Sequence, residues 1–243
     1  MDTYYIGCYW TDRKEDADAC TDRAVQCLKQ LAGCDPALAE VLVVPKSTRK
    51  LPYRVPVNFE AIKPLIEGGR NREDVPPRKI IEKLGYSITF VSDYEKREEQ
   101  WNIRILCGAY PQTKGLLNHC VLELPKRGEA LKTLLQSGTM TCLVRAMIAA
   151  WDPDWAVVQG RAFRDALTPD ASVPGKVLLG WMAYYAARLG KVPDDLPVHS
   201  RTELEQGTLL VLSREPVTPD RPDHIAAAQA VLPGLQRVGL IPA

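Results

Sequence analysis

The sequence is short of histidine: three occur in 243 residues, His119, His199 and His224. Chemistry that needs an imidazole base or ligand has only these to draw on. His119 adjoins Cys120, but neighbours on a strand point to opposite faces, which spoils them as a base–nucleophile pair. His224 falls in the first turn of a predicted last helix and is expected to face solvent. No CxxC, HxH or HExxH occurs, which removes the common zinc spacings. GxSxG, a Walker loop and a GxGxxG following a strand are missing too. Long apolar runs are absent: none reaches the roughly 18 residues of a membrane span. The N-terminus, MDTYYIGCYWTDRKED, has no basic stretch followed by an apolar one, so no signal peptide is visible. The expected compartment is the cytoplasm, with all seven cysteines as reduced thiols. Charge of one sign is lacking as well: 31 basic and 30 acidic residues leave a net +1. No global charge therefore points to nucleic acid or membrane.

What is present is a globular composition, 46% hydrophobic and 25% charged. Residues 3–10, TYYIGCYW, alternate with period two and predict a central aromatic strand. Asp12 with Glu15 resembles a capping box, and apolar residues at three- and four-residue steps predict a helix ended by Gly33. Cys20, Cys27 and Cys34 share one face of that helix but are too far apart to bind a common metal, so they read as core. Residues 45–57 carry three prolines and read as an irregular connection; a helix near 59–67 must kink or restart at Pro64. YSITFV (86–91), WNIRILC (101–107) and HCVLEL (119–124) each have one apolar face and predict an antiparallel meander, with Cys107 and Cys120 placed opposite each other. Helices follow at 129–136 and 139–151, with strands at 155–158 and 207–213. Residues 176–190 suit a strand in their first half and a helix at their end. A last helix begins at Pro222 and is interrupted by Pro233–Gly234. This order implies an α+β domain spanning 1–243, with a mostly antiparallel central sheet and helices mainly on one face. The second half weakly echoes the first, as in a pseudo-duplicated sheet.

The stretch WDPDW (151–155) places Asp152 and Asp154 within reach of acid–base or metal chemistry, which would make a small hydrolase. The competing reading is architectural: Asp152 precedes a proline, so the helix stops there, and both tryptophans are large core anchors. No further metal ligands lie nearby, so the architectural reading is preferred and no metal or cofactor is expected. Residues 46–83 carry ten Lys/Arg against five Asp/Glu, a basis for a nucleic-acid-binding alternative using Arg49, Lys50, Arg54, Arg70 and Arg72. Aromatics to stack on bases are few there, Tyr53 and Phe59. Residues 194–224 carry seven acids against three bases, and SDYEKREEQ (92–100) has four acids. A good core without a catalytic constellation points to a binding protein whose acidic clusters meet a basic partner.

Taken in order, YYIGCYW (4–10), GGRNRED (68–74), ILCGAY (105–110), WDPDWAVV (151–158), LGWMAYY (179–185) and GTLLVLS with DHIAAAQAVL (207–213, 223–232) resemble the immunity protein 52 family. Trp10, Gly108, Tyr110, Trp151, Asp152, Pro153, Trp155, Gly180 and Trp181 match its motif positions, and most of them read as scaffold. The resemblance implies a bacterial polymorphic-toxin or type VI secretion immunity protein, not an enzyme. Such a protein binds and neutralises a cognate toxin, usually one with a restriction-endonuclease-like nuclease domain. Glu95, Glu98, Glu99, Asp194, Asp195 and Glu203 are then the expected toxin-facing residues. No direct nucleic-acid or membrane contact is expected.

Overall fold

The computed structural model describes residues 3–44, 51–92, 96–112, 117–167 and 179–241. Among these residues ten strands form one antiparallel sheet in the order β3-β2-β4-β5-β6-β1-β7-β8-β10-β9. They are β1 (Tyr4–Trp10), β2 (Leu42–Val43), β3 (Tyr53–Arg54), β4 (Tyr86–Val91), β5 (Asn102–Cys107), β6 (Asn118–Glu123), β7 (Trp155–Gly160), β8 (Met182–Ala186), β9 (Ser200–Leu204) and β10 (Gly207–Val211). The aromatic strand lies in the interior, as its pattern predicts, paired with β6 on one side and β7 on the other. The meander is also as predicted, β4-β5-β6 in adjacent positions. Strands from the first half of the chain fill one side of the sheet and those from the second half fill the other, meeting at β1–β7. The two sides differ in strand number, six against four.

Among the described residues six helices accompany the sheet: α1 (Ala17–Cys34), α2 (Phe59–Gly68), α3 (Glu129–Leu134), α4 (Ser137–Trp151), α5 (Arg161–Leu167) and α6 (Pro222–Arg237). α1 packs between α2 and α4. Its buried stripe Cys20, Ala24, Cys27, Leu28 and Leu31 has the three- and four-residue spacing of an amphipathic helix and meets the sheet face bearing Ile6, Cys8, Ile105 and Leu122. α5 lies on the opposite side, where Arg164 reaches the Tyr5 hydroxyl, and α6 packs on it.

Several local expectations are corrected. α1 starts at Ala17, because Asp16 and not Asp12 is the cap: its carboxylate accepts from the Ala19 N–H at 2.9 Å. Gly33 lies inside the last turn, and the helix ends at Cys34. Pro233 does not interrupt α6, which runs on to Arg237, since Val231 and Leu235 on either side are fully buried and hold the helix across the lost hydrogen bond. Residues 182–186 form a strand and 187–189 a 3-10 turn, which settles the ambiguous segment for its described part. Cys107 is not opposite Cys120; the β5–β6 register pairs Cys120 with Ile105. His224 is buried, its Nδ1 accepting from the Thr218 N–H at 3.1 Å. Two cysteines are not thiols: Cys34 at the end of α1 and Cys142 in α4 form a disulfide. Cys8, Cys20, Cys27, Cys107 and Cys120 are free and buried. Burial pushes the Cys8 and Cys120 thiols well above their ordinary range. They behave as core, as the sequence predicts for Cys20 and Cys27.

Candidate functional site

Asp152 and Asp154 close a joint between four elements. α4 ends at Trp151, and Asp152 adopts a left-handed backbone, φ 44°, as its C-cap. A helix end leaves carbonyls without intrahelical partners. Here three arginines supply them: Arg23 donates to Ala150 O at 2.9 Å, Arg13 to Trp151 O at 2.6 Å, and Arg188 to Asp152 O at 2.8 Å. Cations at a helix C-terminus also oppose its dipole favourably. The carboxylates hold the arginines in turn. Asp154, buried, accepts from Arg188 Nε at 2.6 Å and from the Thr11 N–H at 2.8 Å. Glu15 accepts from Arg23 at 2.7 Å, and Asp152 lies 3.0 Å from Arg188. Trp151 stacks on Trp10 with ring centres 5.2 Å apart, and Trp155 stacks on Tyr9 at 4.2 Å. The motif is architectural: its carboxylates are occupied in tying β7, β8 and the end of β1 to the end of α4. Among the described residues no cluster of three or more His, Cys, Asp or Glu is arranged to hold a metal ion.

The acidic residues expected to face a toxin fall into two separated groups. Glu98 and Glu99 sit in the β4–β5 connection; Glu95 lies outside the described residues. Glu98 pairs with Arg127 at 3.0 Å. Asp194 pairs with Lys191 at 2.8 Å and Arg201 at 3.0 Å, and Glu203 on edge strand β9 pairs with Arg201 at 2.7 Å. Hydrogen bonding from Lys191 holds the Asp194 carboxyl below its ordinary range; Thr208, then Arg201, do the same for Glu203. Asp195 lies 3.6 Å from Arg237. Six strand spacings separate β5 from β9, roughly 29 Å at 4.8 Å each. The structure therefore does not bring the two groups together, and all but Glu99 of those described already face a cation.

The basic segment is divided likewise. Arg49 and Lys50 lie outside the described residues, and Arg54 pairs with Glu40. Arg70 and Arg72 belong to a strap, residues 69–85, that pairs with the start of β4 at Tyr86 and Ser87 and then folds back on itself. The glycine- and proline-rich stretch GGRNREDVPP (68–77) is tied down here. Ser87 donates to Gly69 O at 2.9 Å, and Asn71 donates through its side chain to Leu84 O at 2.6 Å. A Cβ on Gly69 would sit 2.5 Å from Ser87 O, so only glycine allows this approach. The sequence signal is the Gly-Gly followed by Asn, a turn-forming pattern. Beside the strap runs an apolar groove of about 430 Å³ lined by Val43, Val44, Tyr53, Pro64, Leu65 and Ile88.

The fold is a long antiparallel sheet with a helical layer, and the joint of carboxylates and arginines at the end of α4 serves structure. The immunity protein 52 family profile matches residues 2–243, and the chain belongs to that family. Among solved structures it is similar in fold to the Pseudomonas aeruginosa T6SS protein PA0821, with TM-score 0.58 and 9% sequence identity over 94% of this chain and 76% of that one. No curated protein matches the sequence significantly.

Proposed function

We propose that this protein is a cytoplasmic, non-enzymatic immunity protein that binds a cognate nuclease toxin and blocks it, protecting the cell that makes both. The observation that carries the reading is the family match along nearly the whole chain. The occupied state of Asp152 and Asp154 supports it, because the best candidates for chemistry are bound up in the fold. The solved T6SS protein of similar fold supports a secretion-linked setting. In this reading the chain acts as one unit, and Glu98, Glu99, Asp194, Asp195 and Glu203 contribute acidic contacts at the margin of the toxin interface. Their internal ion pairs limit what each adds, since exposed pairs are worth about 0–1 kcal/mol.

Growth rescue tests the reading. Cells expressing the toxin domain encoded beside this gene should lose chromosomal integrity, and co-expression of this protein should restore growth and intact DNA. Rescue without intact DNA would retain immunity and remove the nuclease. No rescue would remove the reading.

A further inference from the structure

The structure assigns the toxin-docking surface to the β4 edge, where the 69–85 strap and the paired strands β2 and β3 flank the apolar groove, and the partner that fits it is a toxin segment presenting carboxylates around an apolar side chain. This inference rests on the immunity reading above and gives it a location.

Three observations converge on this edge. Seven large apolar side chains are exposed among the described residues: Val44 and Tyr53 line the groove, Val75 and Ile80 belong to the strap, and Leu51 lies two residues before Tyr53. Leu51 and Val75 are 79% and 72% exposed. Scattered singly, such residues mean little; two at the rim of a groove and two more on the strap that continues from it mark a contact site.

Unpaired arginines are the second observation. Most arginines of the chain face a carboxylate within 4 Å, among them Arg13, Arg23, Arg104, Arg161, Arg188 and Arg201. Arg70, Arg72 and Arg78 have no such partner among the described residues. Arg70 lies over the Tyr86 ring at 5.9 Å, and Arg72 donates to Arg78 O at 3.3 Å. These arginines, together with Glu73 and Asp74, line a cleft of about 450 Å³ that shares Gly69 and Ser87 with the apolar groove. Charge and apolar surface are therefore contiguous.

The third is that the arginines are held in place. Main-chain bonds run down the strap, Ile81 to Asn71 O at 2.9 Å and Glu73 to Lys79 O at 2.9 Å, closing at a turn where Arg78 donates to Val75 O at 2.9 Å. A preorganised strap loses less entropy when it binds, and arginine beside tyrosine is the composition of interface hot spots. The edge also has room for a guest. β2 covers β4 only at Phe90 and Val91, and the strap covers it at Tyr86 and Ser87, so the groove opens at Ile88 and Thr89.

Charge selects the guest. Residues 68–85 carry five cations and three carboxylates, Glu73, Asp74 and Glu82. Those carboxylates break the run of positive charge that a phosphate backbone requires, and they suit a protein surface where charges of both signs can be matched.

The test uses the full-length protein and the purified toxin domain encoded beside it, with affinities measured by titration calorimetry. Arg70→Glu with Arg72→Glu, and separately Tyr53→Ser with Val75→Ser, should each weaken binding by roughly tenfold or more. Glu98→Lys with Glu99→Lys should weaken it by less than about threefold. Arg72→Glu with Val75→Ser, both at exposed positions away from the Arg70–Tyr86 contact, repeats the measurement if the first pair unfolds. Unchanged affinity in the edge variants, with wild type binding tightly, overturns the location and leaves the immunity reading standing. Absence of wild-type binding overturns both. Retention of a short DNA or RNA duplex by wild type and its loss in Arg70→Glu/Arg72→Glu, without effect on toxin binding, would make the edge a nucleic-acid surface instead.

Discussion

Replacing Asp154 with alanine separates a structural from a catalytic WDPDW. The Asp154 side chain is 11% exposed and accepts two hydrogen bonds, from Arg188 Nε at 2.6 Å and the Thr11 N–H at 2.8 Å. Hydrogen bonds to a charged group contribute about 1.5–3 kcal/mol each, and an abandoned buried donor costs about 1–3 kcal/mol. Arg188 is 43% exposed and can return to water, which places the loss near the lower end, about 3 kcal/mol. For a chain of this size about 2–4 °C accompanies each kcal/mol, so the melting midpoint should fall by about 6–12 °C. Asp152→Asn should behave differently. Asparagine tolerates the left-handed backbone that Asp152 adopts, its Arg188 pair is exposed, and removing a negative charge from a helix C-terminus helps. That loss should stay below about 1 kcal/mol. Thermal unfolding by circular dichroism reads both. A midpoint for Asp154→Ala within about 2 °C of the parent, or a larger fall for Asp152→Asn than for Asp154→Ala, would refute the reasoning.

Titrating free thiols in denaturant without reductant should find five, and seven after reduction, because Cys34 and Cys142 are joined across 108 residues. Cys142→Ser should lower stability by about 4 kcal/mol under oxidising conditions, and seven thiols before reduction would contradict the bridge. Burial, aided by Arg104, lowers the His119 pKa below its ordinary 6.5, although Leu117 O opposes this. The unfolded chain therefore binds the proton first, so the His119 contribution is present above pH 6.5 and is lost as pH falls towards the folded-state pKa. His119→Gln should flatten the stability profile over that window; an unchanged slope would show the imidazole to be uninvolved.

Legibility in the sequence follows the physics of each element. β5 and β6 are readable because each buries alternate residues against the helical layer, and period two survives in the sequence; β1 is buried on both faces and is readable from its aromatic, strand-favouring run instead. The start of α1 is misread because DRKE imitates a capping box, while the working cap, Asp16, has no glutamate or glutamine three residues on. Strand β8 is hidden because it is buried on both faces, so MAYYA shows no alternation. Cys34 pairs with a residue 108 positions away, a proximity no local pattern carries. The role of WDPDW is legible from its proline; the arginines that hold it come from α1, the β1 connection and the turn after β8, which only the fold assembles. Charge counting finds the acidic clusters but cannot see that most of those acids are paired, nor that Arg70 and Arg72 face no carboxylate among the described residues.

Co-elution of this protein with the toxin domain encoded beside it, followed by a DNA-degradation assay on the eluted complex, tests the central claim most directly. The account predicts a stable complex in which cleavage stops, and recovery of cleavage when Arg70→Glu/Arg72→Glu replaces the wild type. Separate elution with undiminished cleavage would contradict it.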